Sequence, residues 1–109
     1  MANTFKNAKL AMTTGGGTVY TCPALTTAIV IGGQIANIDG VNAANATAAW
    51  TDASDSDTAT NLLKTVPVAP GSAIPVVIGK LALDAGDTVT ALASADGDLV
   101  ITLSVLEIS

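Results

Sequence analysis

Chemistry in a protein usually begins with histidine, cysteine or paired carboxylates, and this chain of 109 residues is poor in all three: it has no histidine and one cysteine, Cys22. Without histidine there is no Ser-His-Asp arrangement, and the commonest general base and transition-metal ligand are missing. One cysteine allows neither an internal disulfide nor a thiolate zinc site within a single chain. Cys22 reads as a small buried hydrophobe. Any catalysis would rest on carboxylates or lysines alone.

The carboxylates fall into short groups. Asp52, Asp55 and Asp57 are the densest, and hard cations such as calcium favour clustered carboxylate oxygens. The spacing lacks the glycine of a sharp calcium loop and the glutamate that closes it, so a solvated hairpin tip is the expectation and calcium the competing one. Asp84 with Asp87, and Asp96 with Asp98, flank glycines and read as turn formers whose side chains bond nearby amides. As a glycosidase pair they would need an aromatic-lined cleft, and the aromatics are only Phe5, Tyr20 and Trp50. Trp50 shares a strand face with Ala46 and Ala48, which suits a bulky core residue better than an exposed binding anchor. Gly15-Gly16-Gly17-Thr18 and Gly79-Lys80 fail as phosphate loops: Lys80 precedes Leu81 and no helix follows. Asn45-Ala46-Thr47 matches a glycosylation acceptor, a pattern with meaning only in a secreted eukaryotic protein. The expectation is no enzyme, no cofactor and no metal.

Charge excludes two partner classes. Four lysines against nine acids leave a net charge of −5, so no cationic face is expected to neutralise nucleic acid or an anionic membrane. No apolar run nears the ~18 residues of a membrane span, because Gly32 and Gly33 cut the longest one. The start has Lys6 and Lys9 but no apolar region of a signal peptide, which points to synthesis in the cytoplasm. Hydrophobic residues are 50% of the chain and charged residues 12%, against about 25% charged in ordinary soluble domains. Such a surface suits a life in an assembly.

The elements that must position these residues are strands. Turn chemistry recurs along the chain: Gly15–Gly17, Pro23, Gly32-Gly33, Asp39-Gly40, the 52–57 cluster, Pro67, Pro70-Gly71, 84–87 and 96–98. Between lie short Val/Ile/Thr/Leu segments, predicting strands near 6–13, 17–22, 26–36, 45–53, 57–66, 73–78, 79–83, 87–93 and 98–108. Pro75 requires an edge or a bulge. The fold class is all-β, one small antiparallel β-sandwich over 1–109, jelly-roll or Ig-like, with eight or nine strands. Residues 1–14 are a possible N-terminal arm or an ordinary first strand. In the last strand Leu99, Ile101, Leu103 and Val105 line one face, while Val100, Leu106 and Ile108 make the other partly apolar. A strand apolar on both faces is covered on both, and a neighbouring subunit is the expected second cover. Phe5, Leu10, Met12, Val100, Leu106 and Ile108 are the candidate interface residues.

The stretch Val19-Tyr20-Thr21-Cys22-Pro23-Ala24-Leu25-Thr26-Thr27-Ala28-Ile29-Val30-Ile31-Gly32 resembles the opening of a group of small virion proteins of tailed bacteriophages. The similarity continues through Ala48-Ala49-Trp50-Thr51-Asp52-Ala53, Leu62-Leu63-Lys64-Thr65-Val66-Pro67-Val68, Gly79-Lys80-Leu81-Ala82-Leu83-Asp84-Ala85-Gly86-Asp87 and Leu103-Ser104-Val105-Leu106-Glu107-Ile108. Leu25 departs from it, standing where a glycine is expected. The resemblance implies a β-sandwich virion component without enzymatic activity, most like a capsid decoration or cement protein. Such a protein is typically oligomeric, here expected as a homotrimer, and binds the major capsid protein on the outer capsid surface. A tail, neck or fibre-base protein of the virion is one alternative, and a carbohydrate-binding β-sandwich module is another.

Overall fold

The computed structural model describes residues 3–109. Nine strands run in chain order: β1 (Asn3–Ala11), β2 (Gly17–Thr21), β3 (Thr27–Asn37), β4 (Ala44–Asp52), β5 (Thr58–Val68), β6 (Ala73–Pro75), β7 (Leu81–Leu83), β8 (Thr88–Ala93) and β9 (Leu99–Ile108), with one 3-10 turn at Ala53–Asp55. They form two antiparallel sheets. One has the order β1-β9-β3-β6, with β7 also on β3; the other has the order β2-β8-β4-β5. First and last strands lie side by side, and every connection crosses between sheets except β4–β5 and β6–β7, which is the double Greek key of a jelly roll. The expected β-sandwich is therefore what forms.

Alternation builds the core. Leu99, Ile101, Leu103 and Val105 of β9 face inward at 1% exposure or less, opposite Ala46, Ala48, Val89 and Ala91 of the other sheet. Small alanines on one sheet accept the larger side chains of the other, and each fully buried Leu, Ile or Val stabilises by about 1.5–3 kcal/mol. Trp50 packs against this core from the end of β4, as its face with Ala46 and Ala48 predicts. In β3 the register with β9 slips between Val30 and Gly32. This bulge turns Ile31 outward and restores Gly33 to the inner face against Leu103. A Cβ on Gly33 would lie 2.7 Å from Leu103 Cδ2, so the core is filled there by leucine and only a hydrogen fits.

Several boundaries differ from expectation for physical reasons. Asn3–Ala11 pairs along its whole length with β9, so this part of the arm candidate is an ordinary first strand; residues 1 and 2 lie outside the described residues. The sixth strand stops at Pro75, not at 78. Pro75 sits at the sheet edge, and the backbone then leaves β3 after a last bond from Val76 N to Gly33 O (3.1 Å), turning at Gly79 with φ 82°. Pro67, expected in a turn, is inside β5, which is an edge strand that tolerates a missing N–H. Leu25, where glycine is expected, adopts φ 58° and is 95% exposed. The left-handed conformation costs a non-glycine residue about 1–2 kcal/mol.

Candidate interaction surface

The acidic groups turn out to hold the fold together. Asp87 is 2% exposed. Its Oδ1 accepts from Ala53 N (3.0 Å), and its Oδ2 accepts from Asp84 N (2.9 Å) and Trp50 Nε1 (3.3 Å). Its own carbonyl accepts from Cys22 N (2.9 Å). The carboxylate thus ties the end of β4 to the β7–β8 turn, and the main-chain carbonyl of the same residue adds the β2–β3 turn. Burial pushes its pKa up, but the three donors outweigh that and hold it below the usual carboxylate range. Asp52 caps the 3-10 turn through Ser54 N (3.0 Å), Asp39 holds the 38–43 loop through Val41 N (2.8 Å), and Asp96 accepts from Thr14 N (2.7 Å). Among the described residues no three His, Cys, Asp or Glu side chains come together as a metal site, so Asp52, Asp55 and Asp57 do not converge. Cys22 is 1% exposed, and burial pushes its thiol up.

Glu107 is a feature that the sequence does not flag. It is 8% exposed on the inner face of β9, accepts from Tyr20 Oη of β2 (2.5 Å) and pairs with Lys6 Nζ of β1 (3.1 Å). These two partners hold its pKa down. Burial first, and then the carboxylate, push the Tyr20 hydroxyl well up. Sheet to sheet, this cluster closes the β1–β2 side of the sandwich.

The six candidate interface residues divide. Phe5, Leu106 and Ile108 lie on the outer face of the β1-β9-β3 sheet. Phe5 is directly opposite Leu106, which is opposite Ile29, and Ile29 is opposite Ala82. This gives an apolar row across four strands, with Phe5 74% exposed and the bulged Ile31 beside it at 40%. Val100 shares that face but sits toward its other end, separated by Thr102 and Ser104. Leu10 and Met12 belong inside. Leu10 is half-buried against the core and covers Gly17, and Met12 is 0% exposed. The pattern Lys6, Ala8, Leu10, Met12 is the inner face of β1, so Met12 in particular is not available to a neighbour as the protein stands.

A second apolar surface went unread in the sequence. Between the free edge of β5 and the β6–β7 segment lies a groove of about 530 Å³, lined chiefly by Leu62, Leu63, Val66, Ile74, Val77 and Leu81, with Lys80 at its rim. It exists because β6 and β7 are separate short strands that leave the side of the sandwich incompletely closed. A signal was present: residues 58–83 contain Lys64 and Lys80 and no acid, whereas all nine acidic residues lie outside that stretch.

No protein-family model and no curated protein matches the sequence significantly. Solved structures do resemble it. Pili of Bacillus endospore appendages, described as disulfide-linked, superpose with a TM-score of 0.58 at 16% identity, over 99% of this chain and 87% of that one. The acid-stable capsid of a Helicobacter pylori bacteriophage contains a chain matching with a TM-score of 0.56 at 11% identity, over 100% of this chain and 94% of that one. The subviral particle of infectious bursal disease virus matches with a TM-score of 0.52 at 11% identity, over 96% of this chain but only 32% of that one. At such identities the likeness is one of fold, and the fold is a jelly roll shared with subunits of assembled particles and filaments.

Proposed function

We propose that this protein is a non-enzymatic structural component of a bacteriophage virion, a capsid decoration or cement protein that binds the major capsid protein from outside as a homotrimer. The observation that carries the reading is the apolar row Phe5–Leu106–Ile29, exposed at Phe5 and half-buried beyond it, on one sheet face of a low-charge jelly roll. A weak apolar contact of this kind, repeated over a shell, stiffens it without any single tight interaction. The match over nearly the full length of a chain in a phage capsid supports the same reading.

The alternatives are less well served. A disulfide-linked filament needs accessible thiols, and the one cysteine here is buried. Glycan recognition favours aromatic platforms; Tyr20 and Trp50 are packed against the core with their polar atoms engaged, which leaves Phe5. A tail, neck or fibre-base location shares the fold and is separated from the head only by imaging.

Light scattering and sedimentation with capsids of the cognate phage test the proposal. The wild type is expected as a trimer that co-sediments with mature capsids. Phe5→Asp is expected to keep its circular dichroism and lose both properties. A strictly monomeric wild type that leaves capsids bare, or density for it only in the tail, overturns the decoration reading.

A further inference from the structure

Both sheets end in strands with one free side, and β1 is unlike the others. β2 has five residues and a register slip between Thr18 and Tyr20. β5 carries two slips, Thr65 at φ 52° and Pro67, while β6 and β7 have three residues each and Pro75 ends β6. Bulges, prolines and short lengths keep an edge from pairing with another chain. β1 has none of these. It runs nine residues in one unbroken register with β9, without proline or positive φ, and residues 3–7 are exposed. Side chains of Lys6, Glu107 and Tyr20 close this side of the sandwich, but among the described residues β9 is the one strand paired with β1.

The free edge has a defined phase. Met12 N donates to Leu99 O (2.9 Å), in step with the pairing of Ala11 with Val100. Bonding direction alternates along a strand, so the even residues of β1 bond β9 and the amides of Asn3, Phe5, Asn7, Lys9 and Ala11 point to the open side. Lysines are the remaining guard of an edge, yet Lys6 is already neutralised by Glu107 at 3.1 Å. We infer that β1 pairs antiparallel with β1 of a second copy about a two-fold axis at Asn7, which joins the two β1-β9-β3 sheets into one. This register uses all nine residues: Asn7 meets itself, Lys9 meets Phe5, Lys6 meets Ala8, Thr4 meets Leu10 and Asn3 meets Ala11. The Lys9 stem and ammonium lie against the Phe5 ring, which is 74% exposed in the single chain. An axis at Lys6 or Lys9 sets lysine against lysine, which destabilises a strand pair, and an axis at Phe5 or Ala8 leaves strand ends unpaired. The same patch serves both copies, so the contact closes on itself. It lies in the plane of the sheet and leaves the outer face of Leu106 and Ile29 turned outward, so the inference stands apart from the virion reading.

The test uses the free full chain without capsids, so its failure leaves the decoration reading standing. Sedimentation equilibrium of the wild type is expected to show a reversible doubling of particle mass with concentration. Hydrogen exchange at the Phe5, Asn7 and Lys9 amides is expected to slow with the same concentration dependence. Asn7→Lys and Asn7→Asp, both exposed changes, each oppose like charges across the axis and are expected to weaken the doubling about fivefold. An equimolar mixture of the two sets lysine against aspartate and is expected to recover it. Asn7→Pro removes an amide directed away from β9 and is expected to abolish the doubling with circular dichroism unchanged. Three results overturn the inference: no doubling at millimolar protein, doubling while the Phe5, Asn7 and Lys9 amides still exchange freely, or a mixture that associates no better than either variant alone.

Discussion

On the side of the sandwich where β1 and β2 meet, Glu107 of β9 accepts from Tyr20 and pairs with Lys6, and Leu10 covers Gly17. On the opposite side, where β5 faces β6 and β7, apolar side chains line an open groove, and a polar link to the other sheet comes at the end of β5, where Asn37 Nδ2 donates to Val68 O (3.0 Å). Both sides are flanked by the same core. The contrast arises from strand continuity: β1 runs nine residues against β9, whereas the strand that would close the other side is broken into two pieces of three. A closed side contributes stability, and an open one leaves apolar surface uncovered.

Substitutions can break or sharpen that contrast. The largest effect is expected for Asp87→Ala, which strands three donors at the end of the sandwich; denaturant unfolding should show a loss of about 3 kcal/mol. Next comes Gly33→Ala, beside the open side. Its Cβ would press on Leu103 at 2.7 Å, and overpacking of that kind costs about 1–3 kcal/mol.

Tyr20→Phe on the closed side should cost about 1 kcal/mol, near one hydrogen bond, and its pH profile is more diagnostic than its size. Glu107 and Asp87 are held below the ordinary carboxylate range. Their stabilisation is therefore complete above about pH 4 and is lost as pH falls through their lowered values. Tyr20 is raised, so its share is complete below about pH 10 and is lost as pH rises beyond that. The phenylalanine variant should show a shallower acid loss, because Glu107 is released from one donor, and no tyrosine-linked alkaline loss.

The smallest effect is expected for Ile78→Ser on the open side. This residue is almost wholly exposed, and its unfolding free energy should change by less than about 0.5 kcal/mol. If Ile78→Ser proves as costly as Tyr20→Phe, the open side is part of the folding core and the contrast fails.

Much of the architecture was legible in local pattern. Period-two alternation in 98–108, the alanine face of 45–53 and the turn residues at 84–87 and 96–98 are short-range properties, and each appears where the pattern places it. The division of the candidate interface residues between faces was legible in part. Phe5, Leu106 and Ile108 alternate onto an outer face, but Met12 belongs to the inner set of β1 by the same periodicity. Hydrophobicity alone could not tell which set met the second sheet.

By itself, the sequence determined an all-β sandwich and turn-forming aspartates, because strand period, turn chemistry and residue inventory are local. Only the tertiary structure decided that Glu107 is shared by Tyr20 and Lys6 across sheets, that Asp87 gathers donors from three segments, and that a broken edge strand leaves a groove beside β5. Those are meetings of residues far apart in the chain. They depend on strand order and register, which no local pattern encodes.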